Sequence, residues 1–178
     1  MSILLLLDRV KNKIVKMYRE RIFYLKTGQK AKLVKDITLI NTNLKIGKNV
    51  TLYPNVMFFG DGLIEIGDNV DIGNGTVIYA SKAGGIKIGN NTMIAAQCYI
   101  IDMDHGLQRD VLISRQENTV APIYIGDDVW IAANCTVLKG SHIGNGAVIG
   151  AKSMVKGEIE ENAIAFGIPA KVRKYRGQ

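Results

Sequence analysis

One histidine lies in the longest irregular segment of this chain. His105 sits in the run DMDHG, residues 102–106, between regular segments that end near residue 100 and resume near residue 125. Imidazole gains and loses a proton near neutral pH, so it is the side chain best suited to deprotonate a hydroxyl group. A histidine in a surface loop can equally be a solvated residue, and the residues alone leave both interpretations open. Asp102 and Asp104 could orient the imidazole or simply solvate the loop.

The other reactive side chains give weaker signals. His142, the second of two histidines, falls at an outward or turn position of the pattern described below. Cys98 and Cys135 fall at small inward positions, where a buried thiol packs and is a poor nucleophile. Two histidines are too few for a three-histidine zinc hydratase, and no open set of cysteine ligands is present, so we expect no metal site.

A branched apolar residue recurs at every sixth position of residues 125–155. These residues are Ile125, Ile131, Val137, Ile143, Ile149 and Val155. An α-helix repeats about every 3.6 residues and a strand every two, so neither alone explains a period of six. The same period starts at Val34 and Ile40 and continues, with slips of two and four residues, to Ile100.

Each repeat combines a short strand with a sharp turn. Seven repeats begin with Ile-Gly, and six of the seven residues three places after the Ile are Asn, Asp or Gly, which tolerate a positive φ. The following residue is always small or β-branched. One large inward residue, a turn and one small inward residue make one flat side of a parallel β-solenoid with about three sides to a coil. Hairpins would not hold one phase over six successive units.

The solenoid pattern is interrupted by residues 101–124 and flanked by two basic segments. A segment of about two dozen residues without repeat in a compact domain is usually functional, so we expect an extruded loop. We divide the chain into an N-terminal helix at 1–30, a β-helix at 31–165 that carries this loop, and a basic C-terminal tail at 166–178.

The N-terminal segment follows helical spacing. Its apolar positions are Ile3, Leu7, Val10, Ile14, Tyr18, Ile22 and Leu25. Residues 1–35 hold ten Lys or Arg against two Asp or Glu, so the net charge of +7 is concentrated there. We expect an amphipathic basic helix whose apolar face caps the open solenoid end. A peripheral contact of residues 1–25 with an anionic membrane is the alternative, and it is compatible with capping if the basic face attracts lipid.

Composition excludes several classes. No apolar run approaches the roughly 18 residues of a membrane span, and Ile3–Leu7 is too short for a signal-peptide core, so we expect a cytoplasmic protein. Aromatic-rich nucleic-acid motifs are absent from the sequence, which argues against a nucleic-acid partner. A nucleotidyltransferase would need a separate nucleotide-binding domain, and no glycine-rich dinucleotide fingerprint is present.

The repeats resemble those of the hexapeptide-repeat acyltransferases. The resemblance rests on IGDDVWIAANCTVLKGSHIGNGAVIGAKSMV, residues 125–155, and on the closing AFGIPAKVRKY, and it spans roughly residues 40–175. The sugar O-acetyltransferases that act on galactosides and maltose are the most similar branch. The resemblance implies a left-handed β-helix, a homotrimer, and acetyl-coenzyme A as the donor in clefts between subunits.

The family pattern also implies roles for individual residues. His105 lies 25 residues before Trp130 and matches the catalytic histidine, which acts as a general base. Trp130 matches an outward residue at the active cleft, and Asn74 is a weak match to an asparagine that binds the acceptor, since Gly75 stands at the aligned position. Donor-binding positions carried over are Ala133, Ala151, Lys156, Gly157, Lys171 and Lys174.

The expected function is therefore O-acetylation of a sugar hydroxyl in surface polysaccharide synthesis, on a small-molecule or lipid-linked acceptor. N-acetylation of a free or nucleotide-linked amino sugar, or of an antibiotic, is the alternative enzyme function. A non-catalytic solenoid scaffold is the contrasting class, and it predicts no consumption of the thioester with any acceptor.

Overall fold

The computed structural model describes residues 3–178, so Met1 and Ser2 lie outside the described part. It contains one helix, α1 (Ile3–Thr27), followed by short strands. The first three coils contain β1 (Lys32–Leu33), β2 (Thr38–Leu39), β3 (Leu44–Ile46), β4 (Thr51–Leu52), β5 (Met57–Gly60), β6 (Ile64–Ile66), β7 (Asp71–Ile72), β8 (Val77–Ala80) and β9 (Ile86–Ile88). The fourth coil and its loop contain β10 (Met93–Ile94), β11 (Tyr99–Ile101), β12 (Met103–Asp104), a 3₁₀ turn (Ile113–Arg115), β13 (Thr119–Val120) and β14 (Ile123–Ile125). The remaining strands are β15 (Trp130–Ile131), β16 (Thr136–Val137), β17 (His142–Ile143), β18 (Val148–Ile149), β19 (Met154–Val155), β20 (Glu158–Ile159), β21 (Ala163–Gly167) and β22 (Ala170–Tyr175).

Three parallel sheets run along the molecule and form the sides of a prism. Sheet A contains β1, β4, β7, β10, β15, β18 and β21, with β22 added at its end. Sheet B contains β2, β5, β8, β11, β16 and β19, and sheet C contains β3, β6, β9, β14, β17 and β20. The chain visits A, B and C in turn, so it makes six complete coils and begins a seventh. This confirms the predicted all-β parallel solenoid with an N-terminal helix.

The period of six places one large residue inside each side of the prism. From Leu52 onward every predicted inward residue is buried, with an exposed fraction of 3% or less. Burying a side chain of this size stabilises the fold by roughly 1.5–3 kcal/mol. The seven small residues that follow the turns are buried as well.

The corners explain the Ile-Gly pairs. All seven residues three places after the Ile have φ between +54° and +69°, including Lys152 at +60°. The glycine of each pair lies against the next coil: a Cβ on Gly89 would stand 2.3 Å from the Asp127 carboxylate. Only a residue without a side chain permits that approach, so the pair marks a corner where two coils touch.

The predicted register was wrong in the first coil. Val34 and Ile40 are 40% and 63% exposed, whereas Leu33 is 3% exposed and Leu39 packs partly against the core. Leu33 pairs with Leu52 and Leu39 with Phe58, so the inward positions lie one residue earlier than predicted. Two adjacent apolar residues at each site made the phase ambiguous in sequence.

The C-terminal half of α1 covers the first coil. Phe23 is 3% exposed, and the Glu20 carboxylate accepts a hydrogen bond of 3.2 Å from the backbone N–H of Leu33. Arg19 donates to both oxygens of Asp36, at 2.6 and 3.1 Å. The helix thereby occupies a strand edge that would otherwise face solvent. No helix among residues 3–178 is both long and apolar enough to cross a bilayer.

The predicted capping face of α1 was wrong. The apolar positions that the spacing identified are largely exposed: Leu7 60%, Val10 49%, Ile14 61%, Tyr18 66% and Leu25 67%. The side chain of Ile3 is not among those described, and of the predicted set only Ile22 is half-buried. The side of the helix centred on Phe23 faces the first coil instead, where Val15, Ile22 and Phe23 line a cleft with Tyr18 at its edge.

The last residues form a strand and not a separate tail. β22 runs antiparallel to β21 and closes sheet A at the far end. The Arg176 guanidinium donates to Asp128 at 2.7 Å and to the carbonyl of Gly146 at 3.0 Å, and the Tyr175 hydroxyl donates to Glu160. Both ends of the solenoid are therefore covered by elements outside the repeat.

Candidate active site

The loop that carries His105 leaves the solenoid between sheets B and C, a position that we call the B–C corner. Its two ends are held together, because the N–H of Ala121 donates to the carbonyl of Asp102 at 3.0 Å. β12 and β13 pair antiparallel above this contact. The loop is thus a two-stranded ribbon on a fixed base, which confirms that the break in the repeat is an extruded element.

His105 follows β12 directly and is exposed. Its imidazole makes no hydrogen bond to any part of the chain between residues 3 and 178, so neither ring nitrogen is engaged there. The neighbouring Asp104 is also exposed and pairs with Lys139 at 3.5 Å, which ties the ribbon to the next coil. The farther part of the loop is ordered by Gln116, whose amide bonds the backbone of Gln108 and Val111 at 2.7–2.9 Å.

Asp102 lies beneath the loop with no solvent exposure. Its carboxylate accepts bonds from the N–H of Ser81 at 2.9 and 3.0 Å, from the Ser81 hydroxyl at 2.9 Å and from the N–H of Gly85 at 2.7 Å. All of its hydrogen bonds therefore go to the corner of the preceding coil. This environment gives Asp102 an anchoring role, while its orientation of His105 or of an acceptor stays a prediction.

Three predicted residues share the opposite edge of sheet B, the A–B corner. Asn74 lies on the third coil between β7 and β8, Ala133 on the fifth and Ala151 on the sixth. The N–H of Lys152 donates to the carbonyl of Ala133 at 2.9 Å, so successive coils stack directly along this edge. Small side chains therefore lie at this edge on the fifth and sixth coils, and the amide of Asn74 is exposed and accepts a 3.4 Å bond from Asn55.

Trp130 stands outward on sheet A with 48% of its surface exposed. It pairs with Met93 on one side and Val148 on the other, so it belongs to an apolar strip of that sheet. An exposed indole of this size is typical of a surface that contacts a ligand or another chain. The outward position agrees with the prediction, while its role in binding an acceptor stays a prediction.

The cations of the basic C-terminal strand fall into two groups, those that contact other residues of the chain and those that pair with none of its carboxylates. Arg173 stacks over Phe166, with 5.4 Å from guanidinium carbon to ring centroid, and Arg176 bonds Asp128. Lys171 and Lys174 are exposed, and neither pairs with a carboxylate within the described chain. They are consequently available for an external anion.

Lys156 and Gly157 follow β19 on the sixth coil, at the B–C corner and two coils beyond the loop. They share an edge with His105, whereas Ala133 and Ala151 lie across the width of sheet B. At about 3.3 Å per residue, a side of five or six residues separates the two edges by roughly 17–20 Å. One chain does not bring the predicted base together with Ala133 and Ala151.

The remaining reactive side chains are structural. Cys98 donates to the carbonyl of Ala132 at 3.3 Å and Cys135 to that of Gly150 at 3.1 Å, and both are 1% exposed. The interaction of Cys98 with the neighbouring Cys135 side chain, together with burial, raises the pKa of the Cys98 thiol. His142 is exposed on sheet C against Tyr124, with ring centroids 6.2 Å apart. Among residues 3–178, no three His, Cys, Asp or Glu side chains converge as metal ligands would.

Sequence reasoning missed the outer surface of sheet B. Its outward side chains include Met57, Phe59, Val77, Tyr79, Tyr99 and Ile101. Phe59 and Tyr79 stack with ring centroids 6.4 Å apart and planes inclined by 7°. By contrast, sheet C presents outward Lys45, Glu65, Lys87, Tyr124, His142 and Glu158. The runs MFFG, VIYA and YII, apolar on both faces, were the signal in the sequence.

Comparisons with known proteins agree with this geometry. The family model for bacterial transferase hexapeptide (six repeats) matches residues 122–157, and that for the hexapeptide repeat of succinyl-transferase matches residues 63–80. WcaF of Escherichia coli K12, provisionally assigned as a colanic acid biosynthesis acetyltransferase, is 32% identical over 134 residues, covering 74% of this chain and 69% of its own. The chain belongs to the hexapeptide-repeat acetyltransferases.

Two further comparisons, one of sequence and one of structure, point the same way. WbbJ of E. coli K12, provisionally assigned as a lipopolysaccharide biosynthesis O-acetyl transferase, is 35% identical over 126 residues, covering 66% of this chain and 63% of its own. The solved structure of AntD, an N-acyltransferase from Bacillus cereus in complex with dTDP and 3-hydroxybutyryl-CoA, superposes with a TM-score of 0.75 at 21% identity, covering 88% and 87% of the two chains. The chain spans 44–69% of the length of three curated relatives that it matches.

Proposed function

We propose that this protein is an acetyl-coenzyme A-dependent O-acetyltransferase that modifies a sugar hydroxyl in surface polysaccharide synthesis. The observation that carries the proposal is His105, an exposed imidazole without a partner among residues 3–178, held on a ribbon that is anchored in the solenoid wall. Relatives more than 30% identical are provisionally assigned to lipopolysaccharide and colanic acid synthesis, which supports a sugar acceptor.

In the proposed reaction, His105 takes the proton of the acceptor hydroxyl as the oxygen bonds to the thioester carbonyl carbon. Backbone N–H groups of a neighbouring coil hold the negative charge that develops on the carbonyl oxygen. The C–S bond then breaks, and the imidazolium returns its proton to the departing thiolate of coenzyme A. No acyl-cysteine forms, since both thiols are buried and bonded to backbone carbonyls.

The proposed site is completed by another copy of the chain. If three chains turn sheet B toward a common axis, the A–B corner of each chain meets the B–C corner of the next. This places His105 of one chain beside Ala133 and Ala151 of its neighbour. The apolar outer surface of sheet B, unlike the charged surface of sheet C, is the face that such a homotrimer would bury.

A pair of matched tyrosines tests the trimer. Tyr99 lies outward on sheet B with 39% exposure, and Tyr124 lies outward on sheet C with 49% exposure. We expect Tyr99→Glu to shift sedimentation from trimer to monomer and to abolish most transfer, because it places a charge in the contact. Tyr124→Glu should remain trimeric and active. A wild-type chain that is monomeric and fully active would contradict the shared site.

Donor binding is proposed along the A–B corner and the C-terminal strand. Ala133 and Ala151 leave room for the pantetheine arm, and Lys171 and Lys174 contact the phosphates of the nucleotide end. Lys156 and Gly157, at the other edge of sheet B, complete the site from the neighbouring chain. Trp130 and Asn74 flank the acceptor, and Asp104 positions the loop.

Removing the two free lysines should weaken donor binding more than chemistry. We expect Lys171→Ala with Lys174→Ala to raise KM for acetyl-coenzyme A by about tenfold or more, with kcat changed less than about threefold, because phosphate contacts are the same in ground and transition states. The control is Lys45→Ala with Lys87→Ala, which removes two cations from sheet C. A fall in kcat at constant KM would place Lys171 and Lys174 elsewhere.

The decisive assay follows release of free thiol from acetyl-coenzyme A against a panel of sugars and amino sugars. An ester product, which mild alkali removes, supports O-acetylation. An alkali-stable amide would favour the alternative, acylation of an amino sugar; a mutant of the N-acyltransferase that shares the fold has been solved in complex with dTDP-4-amino-4,6-dideoxyglucose and coenzyme A. Absence of thiol release with every acceptor would leave the scaffold function.

A further inference from the structure

One face of α1 carries an apolar stripe that is largely exposed in the described chain. The stripe consists of exposed residues on one side of the helix: Leu6 50%, Leu7 60%, Val10 49%, Ile14 61%, Met17 60%, Tyr18 66% and Leu25 67%. Their spacing of three and four residues lines them up along one helix face. Phe23, which docks the helix on the first coil, lies about half a turn away on the opposite face. Apart from Tyr18, which stands at the edge of the cavity beside the first coil, the stripe therefore points away from the solenoid.

Cations border this stripe. At about 100° per residue, Lys11 and Lys13 fall on its two margins and Arg21 falls within it. The sequence of α1 contains seven Lys or Arg and two Asp or Glu. Of the cations, Arg19 is engaged by Asp36 and Lys16 lies 3.8 Å from Glu20, whereas Lys11, Lys13 and Arg21 pair with no carboxylate in the described residues. An apolar face edged by such cations has the chemistry of a helix that lies in the headgroup region of a bilayer.

A second copy of the helix fits this surface poorly. Helices that pair through apolar seams carry both charge signs at the margins, so that opposite charges meet across the seam. Two copies of α1 would bring Lys11, Lys13 and Arg21 together with their counterparts and would offer few carboxylates in return. An anionic lipid surface matches both the apolar stripe and the sign of its borders.

We propose that α1 lies on an anionic membrane, with the stripe inserted among the acyl chains and the solenoid held on the opposite side. This proposal rests on the proposed function in one respect only: attachment to a membrane would bring the enzyme to a lipid-linked acceptor. His105 lies three coils from the end that α1 covers, about 14 Å along the solenoid at about 4.8 Å per coil. In a trimer with parallel solenoids, three stripes would face the same membrane. Three linked stripes attach more tightly than one, although each makes the same contacts with lipid.

Vesicle cosedimentation of the full-length protein tests the proposal. The probes are vesicles of phosphatidylcholine alone and of phosphatidylcholine with phosphatidylglycerol, each at low and high salt. Wild-type protein should bind the anionic vesicles and lose binding at high salt. Lys11→Glu with Lys13→Glu should weaken binding by roughly fivefold or more for each cation removed. Leu7→Gln, Val10→Gln and Ile14→Gln together should reduce it by about tenfold or more, while glutamine retains good helix propensity.

Two controls distinguish membrane binding from a general change in charge, folding or assembly. Lys45→Glu with Lys87→Glu changes the same charge on sheet C and should leave vesicle binding unchanged. The stripe variant should retain its thermal midpoint and its transfer of acetyl to a soluble sugar. Vesicle binding is measured separately from transfer, so the binding result stands even if the proposed function is wrong. Equal vesicle binding by wild type and stripe variant would overturn the proposal. So would a stripe variant whose only change is a smaller oligomer, since that would identify a second copy as the occupant.

Discussion

We expect His105→Ala to lower kcat by about 10²–10⁴-fold and to leave the fold and the affinity for coenzyme A close to those of the wild type. A sugar hydroxyl attacks a thioester slowly until its proton is removed, and general-base catalysis supplies a factor of this size. The side chain is exposed and bonds to nothing else between residues 3 and 178, so its removal leaves no cavity and no unsatisfied partner. The measurements are kcat, the calorimetric affinity for coenzyme A and the thermal midpoint.

His142→Ala is the matched control for this prediction. His142 is the other histidine of the chain, is also exposed, and lies on sheet C against the ring of Tyr124. It should leave kcat unchanged. Near-wild-type turnover of the His105 variant would remove His105 from the role of base. A variant whose thermal midpoint falls markedly would instead show that the loop contributes to the fold.

Asp102→Ala should destabilise the protein by about 3 kcal/mol. The substitution removes the buried acceptor of three partly buried donors, the N–H and hydroxyl of Ser81 and the N–H of Gly85, and each donor left unsatisfied costs about 1 kcal/mol or more. In a chain of 178 residues this lowers the melting temperature by roughly 6–12 °C. Turnover should fall as well, because Asp102 holds the base of the ribbon that carries His105. Calorimetry and steady-state kinetics on the same sample measure both effects.

Asp104→Ala provides the comparison two residues away. Its carboxylate is half exposed and pairs with Lys139 across 3.5 Å, and exposed pairs of this kind contribute about 0–1 kcal/mol. Its melting temperature should therefore stay within about 3 °C of wild type. Should Asp102→Ala prove as stable as Asp104→Ala, the buried contacts with Ser81 and Gly85 would not be the anchor of the loop.

The sequence was sufficient to predict the solenoid because its repeat is a direct consequence of packing. Each Ile-Gly pair fixes an inward side chain, a close contact between coils and a turn with positive φ, and Lys152 adopts that turn even though its residue type does not favour it. The phase failed only at Val34 and Ile40, where neighbouring leucines are equally apolar. The local sequence pattern does not indicate which of the two neighbours points inward. The pairing of Leu33 with Leu52 in the folded chain determines the inward residue.

The candidate site was less accessible to sequence reasoning. The position of His105 on a loop follows from the break in the repeat, but the anchoring of Asp102 depends on Ser81, 21 residues earlier, which lies beside it only after a full coil. The sequence also did not indicate which side of α1 would be exposed, because both faces of the helix carry apolar residues. Which face docks depends on Phe23 and on the Arg19–Asp36 pair, and the periodicity of α1 contains no information about either.

The two covered ends of the solenoid determine how copies of this protein can meet. Every coil offers backbone hydrogen bonds along the solenoid axis, so a bare first coil and a bare last coil would be mutually complementary. Copies could then add end to end, with a strand spacing of about 4.8 Å continuing from one molecule into the next, as in a fibril. The contact of Glu20 with Leu33 at one end and the antiparallel β22 at the other interrupt that continuity. Growth along the axis is thereby blocked, and only sideways assembly, which is closed and finite, remains open.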